Sequence, residues 1–254
     1  MAENHRNTER RADFGFERVT PEEQRRRVSG VFDSVADRYD LMNDLMSLGL
    51  HRVWKRFALA RTALRPGGWA LDVAAGSGDL SEGLARQVGA EGRVVVTDIN
   101  AGMLLKGRAR LIDAGLAGNI FCLQADAEKL PLAARLFDCV TIGFGLRNVA
   151  DKPAALADAY RVIKPGGRLL ILEFSRPRLG PLDALYELYS FQVLPRLGRL
   201  IVNDADSYRY LAESIRVHPD QEALKRMMAD QGFERCAYHN LSGGIVALHV
   251  GFKL

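Results

Sequence analysis

Three aspartates and one glycine-rich turn supply the first readable chemistry. In "LDVAAGSGDL", Leu71 to Leu80, an apolar run closes on Gly76-Ser77-Gly78 and leads into a polar, helix-compatible stretch. Asp72 sits inside that run, Asp98 ends the next one ("VVVTDIN"), and Asp126 follows a third ("LQADAEKLP"). A dinucleotide loop of the form G-x-G-x-x-G would need glycine where Ser81 stands, so a diphosphate is disfavoured. Three carboxylates around one nucleotide suit a different ligand. Ribose hydroxyls would meet Asp98, an adenine amino group would meet Asp126, and an ammonium group near the loop would be supported by Asp72. S-adenosylmethionine carries all three groups and no phosphate. The competing role for these aspartates is capping of the helices that follow.

The elements that must hold these residues come next. From Trp69, β-branched runs alternate with helical segments: "WALDVA", a helix from Asp79, "RVVVTDI", a helix from Ala101, "NIFCLQA", "FDCVTIGF", a helix from Pro153 and "RLLILEF". Such alternation predicts parallel βαβ units, and the nearly continuous apolar strands predict a sheet covered on both faces. The expected fold is α/β, a doubly wound, Rossmann-like single domain over residues 1–254. Its parts are a helical N-terminal lid (1–68), a cofactor-binding core (69–175), a helical substrate-side insertion (176–232) and a final hairpin (233–254). "RCAYHNLS" and "IVALHVGFKL", joined through Gly243-Gly244, form that hairpin, so the last strand of a mostly parallel sheet should run antiparallel.

The composition narrows the function classes. The chain has 254 residues, 48% of them hydrophobic, and a net charge of +4; enough for one large core. "RRR" at Arg25 to Arg27 follows Glu22 and Glu23 and reads as a solvated helix face, so nucleic acid is not an expected partner. No signal segment or spanning run is seen, which predicts a cytoplasmic chain. Cys122, Cys139 and Cys236 show no CxxC spacing and are expected to be reduced strand residues, with no metal site.

Over nearly its whole length the chain resembles the ubiquinone/menaquinone biosynthesis C-methyltransferases, within the class I S-adenosylmethionine-dependent methyltransferases. The class is matched by "LDVAAGSGDL", "VVVTDIN", "ADAEKLP", "FDCVTIGFGLRNV" and "RVIKPGGRLLILEFS". The narrower family is matched by "FDSVADRYDLMNDLMSLGLHRVWK" at Phe32 to Lys55, "GFGLRNV" at Gly143 to Val149 and "NDADSYRYLAESIRVHPDQEALKRMM" at Asn203 to Met228. The resemblance implies a seven-stranded sheet and S-adenosylmethionine as methyl donor. It implies cofactor contacts at Ser77, Asp98, Asp126, Ala127 and Gly143, to which the reading of the residues adds Asp72 of the first strand and Gly76 and Gly78 of the loop. The implied substrate is a polyprenyl quinol, either 2-polyprenyl-6-methoxy-1,4-benzoquinol or demethylmenaquinol. Peripheral contact with the inner face of the membrane, association with other quinone-biosynthesis enzymes and a homodimer are open partners. At Gly143 related sequences often carry serine.

Methyl transfer to a ring carbon needs in-line alignment, exclusion of water and removal of a quinol hydroxyl proton. The candidates are Arg147, Asn148, Tyr39, Asp40, His218 and the pair Asp204 and Asp206, of which Arg147, Asn148 and Tyr39 are preferred. Arg147 would stabilise a phenolate by fixed charge and Asn148 would orient a hydroxyl or a water. His218, before Pro219, reads more as a helix-start residue. "LYELYSFQVLP" in the insertion is a candidate wall for the prenyl tail. A methyltransferase acting on another lipid or small molecule, a nicotinamide oxidoreductase and a non-catalytic scaffold subunit of a quinone-biosynthesis complex are the alternative functions.

Overall fold

The computed structural model describes residues 11–35, 44, 47, 49–175 and 205–254. Tyr39, Asp40, Asp204 and "LYELYSFQVLP" lie outside these residues. The described chain opens with a two-stranded hairpin, β1 (Ala12–Phe14) and β2 (Glu17–Val19). This corrects the expectation of a helical start. "ADFGFERV" offers a two-residue turn at Gly15-Phe16 with Gly15 at φ 58°, and alternation across so short a stretch is easily passed over beside the helix that follows. That helix, α1 (Pro21–Val35), begins at Thr20, whose hydroxyl accepts from the Glu23 backbone N–H at 3.2 Å, with proline in the first helical position. Helix α2 (His51–Leu59) completes the described N-terminal segment.

The core then alternates as expected: β3 (Trp69–Val73), α3 (Asp79–Val88), β4 (Arg93–Asp98), α4 (Ala101–Asp113), β5 (Ile120–Gln124), β6 (Phe137–Gly143), α5 (Lys152–Val162) and β7 (Ile163–Phe174). After residue 204 come α6 (Ala205–Val217), α7 (Gln221–Asp230), β8 (Glu234–Leu241) and β9 (Val246–Phe252). The seven strands lie in the order β5-β4-β3-β6-β7-β9-β8, with β9 antiparallel to both neighbours. A turn through Ser242–Gly244 closes the last hairpin.

Sheet pleating divides the core. Leu71, Val73, Val140, Ile142, Leu169 and Ile171 pack on one face with Leu156 of α5 and Met228 of α7. Ala70, Val94 and Val96 point the other way, against Leu84 and Val88 of α3 and Leu111 of α4. Trp54 of α2 and Tyr208 and Leu211 of α6 continue that second layer over β7 and β9. Burial of such strands on both faces explains their lack of apolar and polar alternation. The strand order reverses between β3 and β6, and in sheets of this kind ligands sit beyond the carboxyl ends at that reversal.

Candidate functional site

The ends of β3, β4, β5 and β6 converge on an open cavity. Gly76, Asp98, Asp126, Ala127, Asn148 and, from α1, Arg25 are among its walls. Asp98 is buried, with its two oxygens accepting from the backbone N–H of Gly76 at 2.8 Å and of Asn100 at 2.9 Å. Burial nonetheless pushes its carboxyl above the usual aspartate range. Helix α4 is capped by Asn100, which accepts from the Met103 N–H at 2.9 Å, so Asp98 is not the cap. Asp126 closes a turn by accepting from the Glu128 N–H at 2.9 Å, and Arg25 of α1 lies 3.3 Å from it and 2.7 Å from Glu128. Val28, Phe32, Ile99 and Met103 give the same cavity an apolar lining. Carboxylate acceptors in a mainly apolar slot suit an adenosine, which is flat, apolar on its faces and hydrogen-bonding at its edges.

A second, smaller cavity is lined by Lys55, Asp72, Ala75, Ser77, Asp79, Leu80, Gly143 and Phe144. Phe144 borders both cavities. Asp72 is completely buried under this one. Thr141, its register partner on β6, donates to Oδ1 at 2.7 Å, and Ser81 of α3 donates to Oδ2 at 2.6 Å. Burial pushes Asp72 up to about 6 even with both hydroxyls and Lys55 favouring its charge. At Asp79, burial works to raise the carboxyl, but Lys55 and Arg110 outweigh it and hold the group below its ordinary value. Ala74 at φ 52° and Phe144 at φ 57° carry non-glycine residues in the left-handed region, one after each of the two central strands. Strain of this kind gathers where a ligand site dictates the backbone.

The sequence-selected residues therefore divide. Gly76, Asp98, Asp126, Ala127 and Asn148 line the larger cavity, and Asp72, Ser77 and Gly143 line the smaller one. Gly78 lines neither; at φ 81° it caps α3. Asn148 Oδ1 accepts from the Tyr210 hydroxyl at 2.9 Å, which leaves its amide N–H donors for a ligand. Arg147 lies behind the walls, buried against Glu173 at 2.9 Å, also donating to the Phe144 carbonyl. Its backbone N–H reaches Glu173 as well, at 3.2 Å. The fixed charge expected to face a phenolate is thus compensated by a buried carboxylate. His218 is buried away from both cavities with neither ring nitrogen hydrogen-bonded, and burial holds it well below its ordinary value. The helix start beside it belongs to Asp220, which accepts from the Ala223 N–H at 2.8 Å. Asp206 is exposed in the first turn of α6, 3.4 Å from Arg209.

Several contributors had no signal in the sequence. Helix α1 covers the larger cavity through Gln24, which donates to the Asn148 carbonyl at 2.6 Å, and through Ser29 and Asp33, which accept from the Asn100 amide at 3.1 and 2.7 Å. Gly107 of α4 packs under the glycine turn, where a Cβ would stand 2.9 Å from the Gly76 carbonyl oxygen. Ser81 was visible only as a missing glycine.

Comparisons with known proteins identify the family and the fold. The model of the ubiE/COQ5 methyltransferase family matches residues 19–253. The chain is 58% identical over 246 residues to a ubiquinone/menaquinone biosynthesis C-methyltransferase UbiE of Coxiella burnetii (strain RSA 331 / Henzerling II), covering 97% of this chain and 98% of that one. It is 57% identical to the UbiE of Proteus mirabilis (strain HI4320), covering 95% and 96%. Among solved structures, SAM-dependent methyltransferases from Thermotoga maritima (TM-score 0.61, 20% identity, 89% and 99% coverage) and Aquifex aeolicus (TM-score 0.58, 19%, 79% and 89%) share the fold. A two-part site at the strand-order reversal and a sequence match from the end of β2 through the last strand lead to one assignment: this chain belongs to the ubiE/COQ5 methyltransferase family, whose methyl donor is S-adenosylmethionine.

Proposed function

We propose that the enzyme methylates a ring carbon of a polyprenyl quinol, 2-polyprenyl-6-methoxy-1,4-benzoquinol, demethylmenaquinol or both. The observation that carries this reading is the pair of adjoining cavities meeting at Phe144, with acceptors for a nucleoside in one and for an ammonium group in the other. When bound, the cofactor supplies a methyl group activated by a sulfonium. Asp98 would accept from the ribose hydroxyls, Asp126 from the adenine amine, and Ala127 would line the base. The methionine end would lie along Ser77 and Gly143, with Asp72 beneath its ammonium group and Gly76 and Gly78 shaping the turn.

For the transfer itself, the chain must hold the acceptor hydroxyl and receive its proton. Asn148, held by Tyr210, orients that hydroxyl or a water through its amide N–H. Tyr39 is the second candidate at the hydroxyl, on the strength of the sequence. Arg147 acts by fixing the turn after β6 through Glu173 and the Phe144 carbonyl, which sets the position of Asn148. The prenyl tail favours peripheral contact with the membrane, since each buried methylene contributes about 0.8 kcal/mol.

The test is a single-turnover assay with methyl-labelled S-adenosylmethionine and a reduced short-chain quinol. Product carrying the label on a ring carbon is expected. Transfer to oxygen, or cofactor binding with no transfer to any quinol, would overturn the reading.

A further inference from the structure

Lys55 is a basic residue on the wall of the smaller cavity, where it faces two carboxylates, Asp72 and Asp79. Its Nζ lies 2.5 Å from Asp79 Oδ2, and both side chains are largely buried. The guanidinium of Arg110 also lies against Asp79. Helix α2 cannot easily turn Lys55 away, because the neighbouring Trp54 is buried among Phe144 and Phe174 and its indole N–H donates to Ser242 Oγ at 3.0 Å.

A cavity walled by Asp72 and Asp79 alone would attract an ammonium group and repel a carboxylate. The amino acid end of S-adenosylmethionine carries both. A zwitterion of this size fits only where one wall accepts and another donates, since a buried carboxylate without a cationic or hydrogen-bonding partner is strongly disfavoured. Lys55 has three donors on a flexible stem, so it can serve a new oxygen while keeping or releasing Asp79. If it releases Asp79, Arg110 remains to satisfy that carboxylate.

We propose that Lys55 receives the carboxylate of the cofactor's amino acid end, opposite Asp72 at the ammonium group, with Arg110 holding Asp79 while Lys55 is engaged. This rests on the cofactor placement given above and adds a specificity-determining contact from α2, outside the βαβ core. It makes the N-terminal segment a reader of the methionine end as well as a cover over the adenosine end.

The experiment compares three ligands by titration calorimetry: S-adenosylmethionine, its decarboxylated form, which lacks only the carboxylate, and methylthioadenosine, which lacks the whole amino acid end. In Lys55→Ala, affinity for S-adenosylmethionine should fall about ten- to a hundredfold, the loss of a charge-assisted hydrogen bond. Decarboxylated cofactor and methylthioadenosine should stay within about threefold of wild type, which also reports that the variant is folded. Lys55→Gln fills the same space without the charge and should show the same selective loss. Unchanged S-adenosylmethionine affinity in Lys55→Ala, or an equal loss of all three ligands in both variants, overturns the role of Lys55. Failure of the underlying placement reads differently: wild-type protein would then not bind methylthioadenosine, or Asp98→Ala would bind it as wild type does.

Discussion

The hydroxyl of Ser81 donates to Asp72 Oδ2 at 2.6 Å, inside a wall where neither residue meets solvent. The position that would be a third glycine in a dinucleotide loop is here a donor that holds the buried carboxylate under the smaller cavity. Removing it should leave one Asp72 oxygen unsatisfied, at a cost of about 1–3 kcal/mol. Ser81→Ala is therefore expected to weaken S-adenosylmethionine binding by roughly that amount, with methylthioadenosine binding little changed. Calorimetry on both ligands checks it, and an equal loss of both would assign Ser81 to general packing.

Asp72 also predicts a pH dependence. Burial raises its folded-state value to about 6 from an ordinary aspartate value, so between about pH 4 and 6 the native chain holds a proton that the unfolded chain has released. Stability from this group is present at the acid end and is lost as pH rises through about 6. Asp72→Asn should flatten that part of the stability profile measured by denaturant unfolding. With Asp72 placed beneath the ammonium group as proposed, S-adenosylmethionine affinity should fall more steeply than methylthioadenosine affinity as pH drops through about 6.

Gly107 gives a test in which two effects oppose. As a helix-interior residue, alanine should stabilise α4 by about 1 kcal/mol through propensity. Its Cβ, however, would meet the Gly76 carbonyl oxygen at 2.9 Å and Gly78 N at 3.4 Å, and these are backbone atoms of the turn that carries Ser77. Gly107→Ala is expected to lower S-adenosylmethionine affinity at least tenfold, about 1.4 kcal/mol, by displacing the turn. Affinity equal to wild type would mean the turn gives way without consequence.

The Arg147 and Glu173 pair separates positioning from direct action. Arg147→Ala leaves Glu173 charged and buried, and should destabilise the fold by about 3–5 kcal/mol. A double variant, Arg147→Met with Glu173→Gln, removes both charges and should recover most of that stability. If Arg147 only fixes the turn that bears Asn148, single-turnover transfer in the double variant stays within about tenfold of wild type, or 1.4 kcal/mol. A loss of a hundredfold or more, about 2.7 kcal/mol, would put its charge on the reacting atoms.

The sequence alone determined the layered α/β fold, the strand that carries or precedes each aspartate and the antiparallel return of the last strand. Those properties are local or periodic: apolar runs of strand length, helix starts after Gly78 and Asn100, and a Gly-Gly turn before β9. The hairpin before α1 was missed because two three-residue strands carry too little period to register. Tertiary structure decided what each polar residue faces. That Ser81 and Thr141 share Asp72 depends on the packing of α3 against β3 and on the register of β3 with β6. That Arg147 turns to Glu173, and that α1 and α2 bring Arg25 and Lys55 to the cavities, depends on contacts between residues 24 to 101 positions apart. Long-range pairing of this kind leaves no spacing in the chain, since any buried carboxylate needs a partner but none fixes from which element the partner comes.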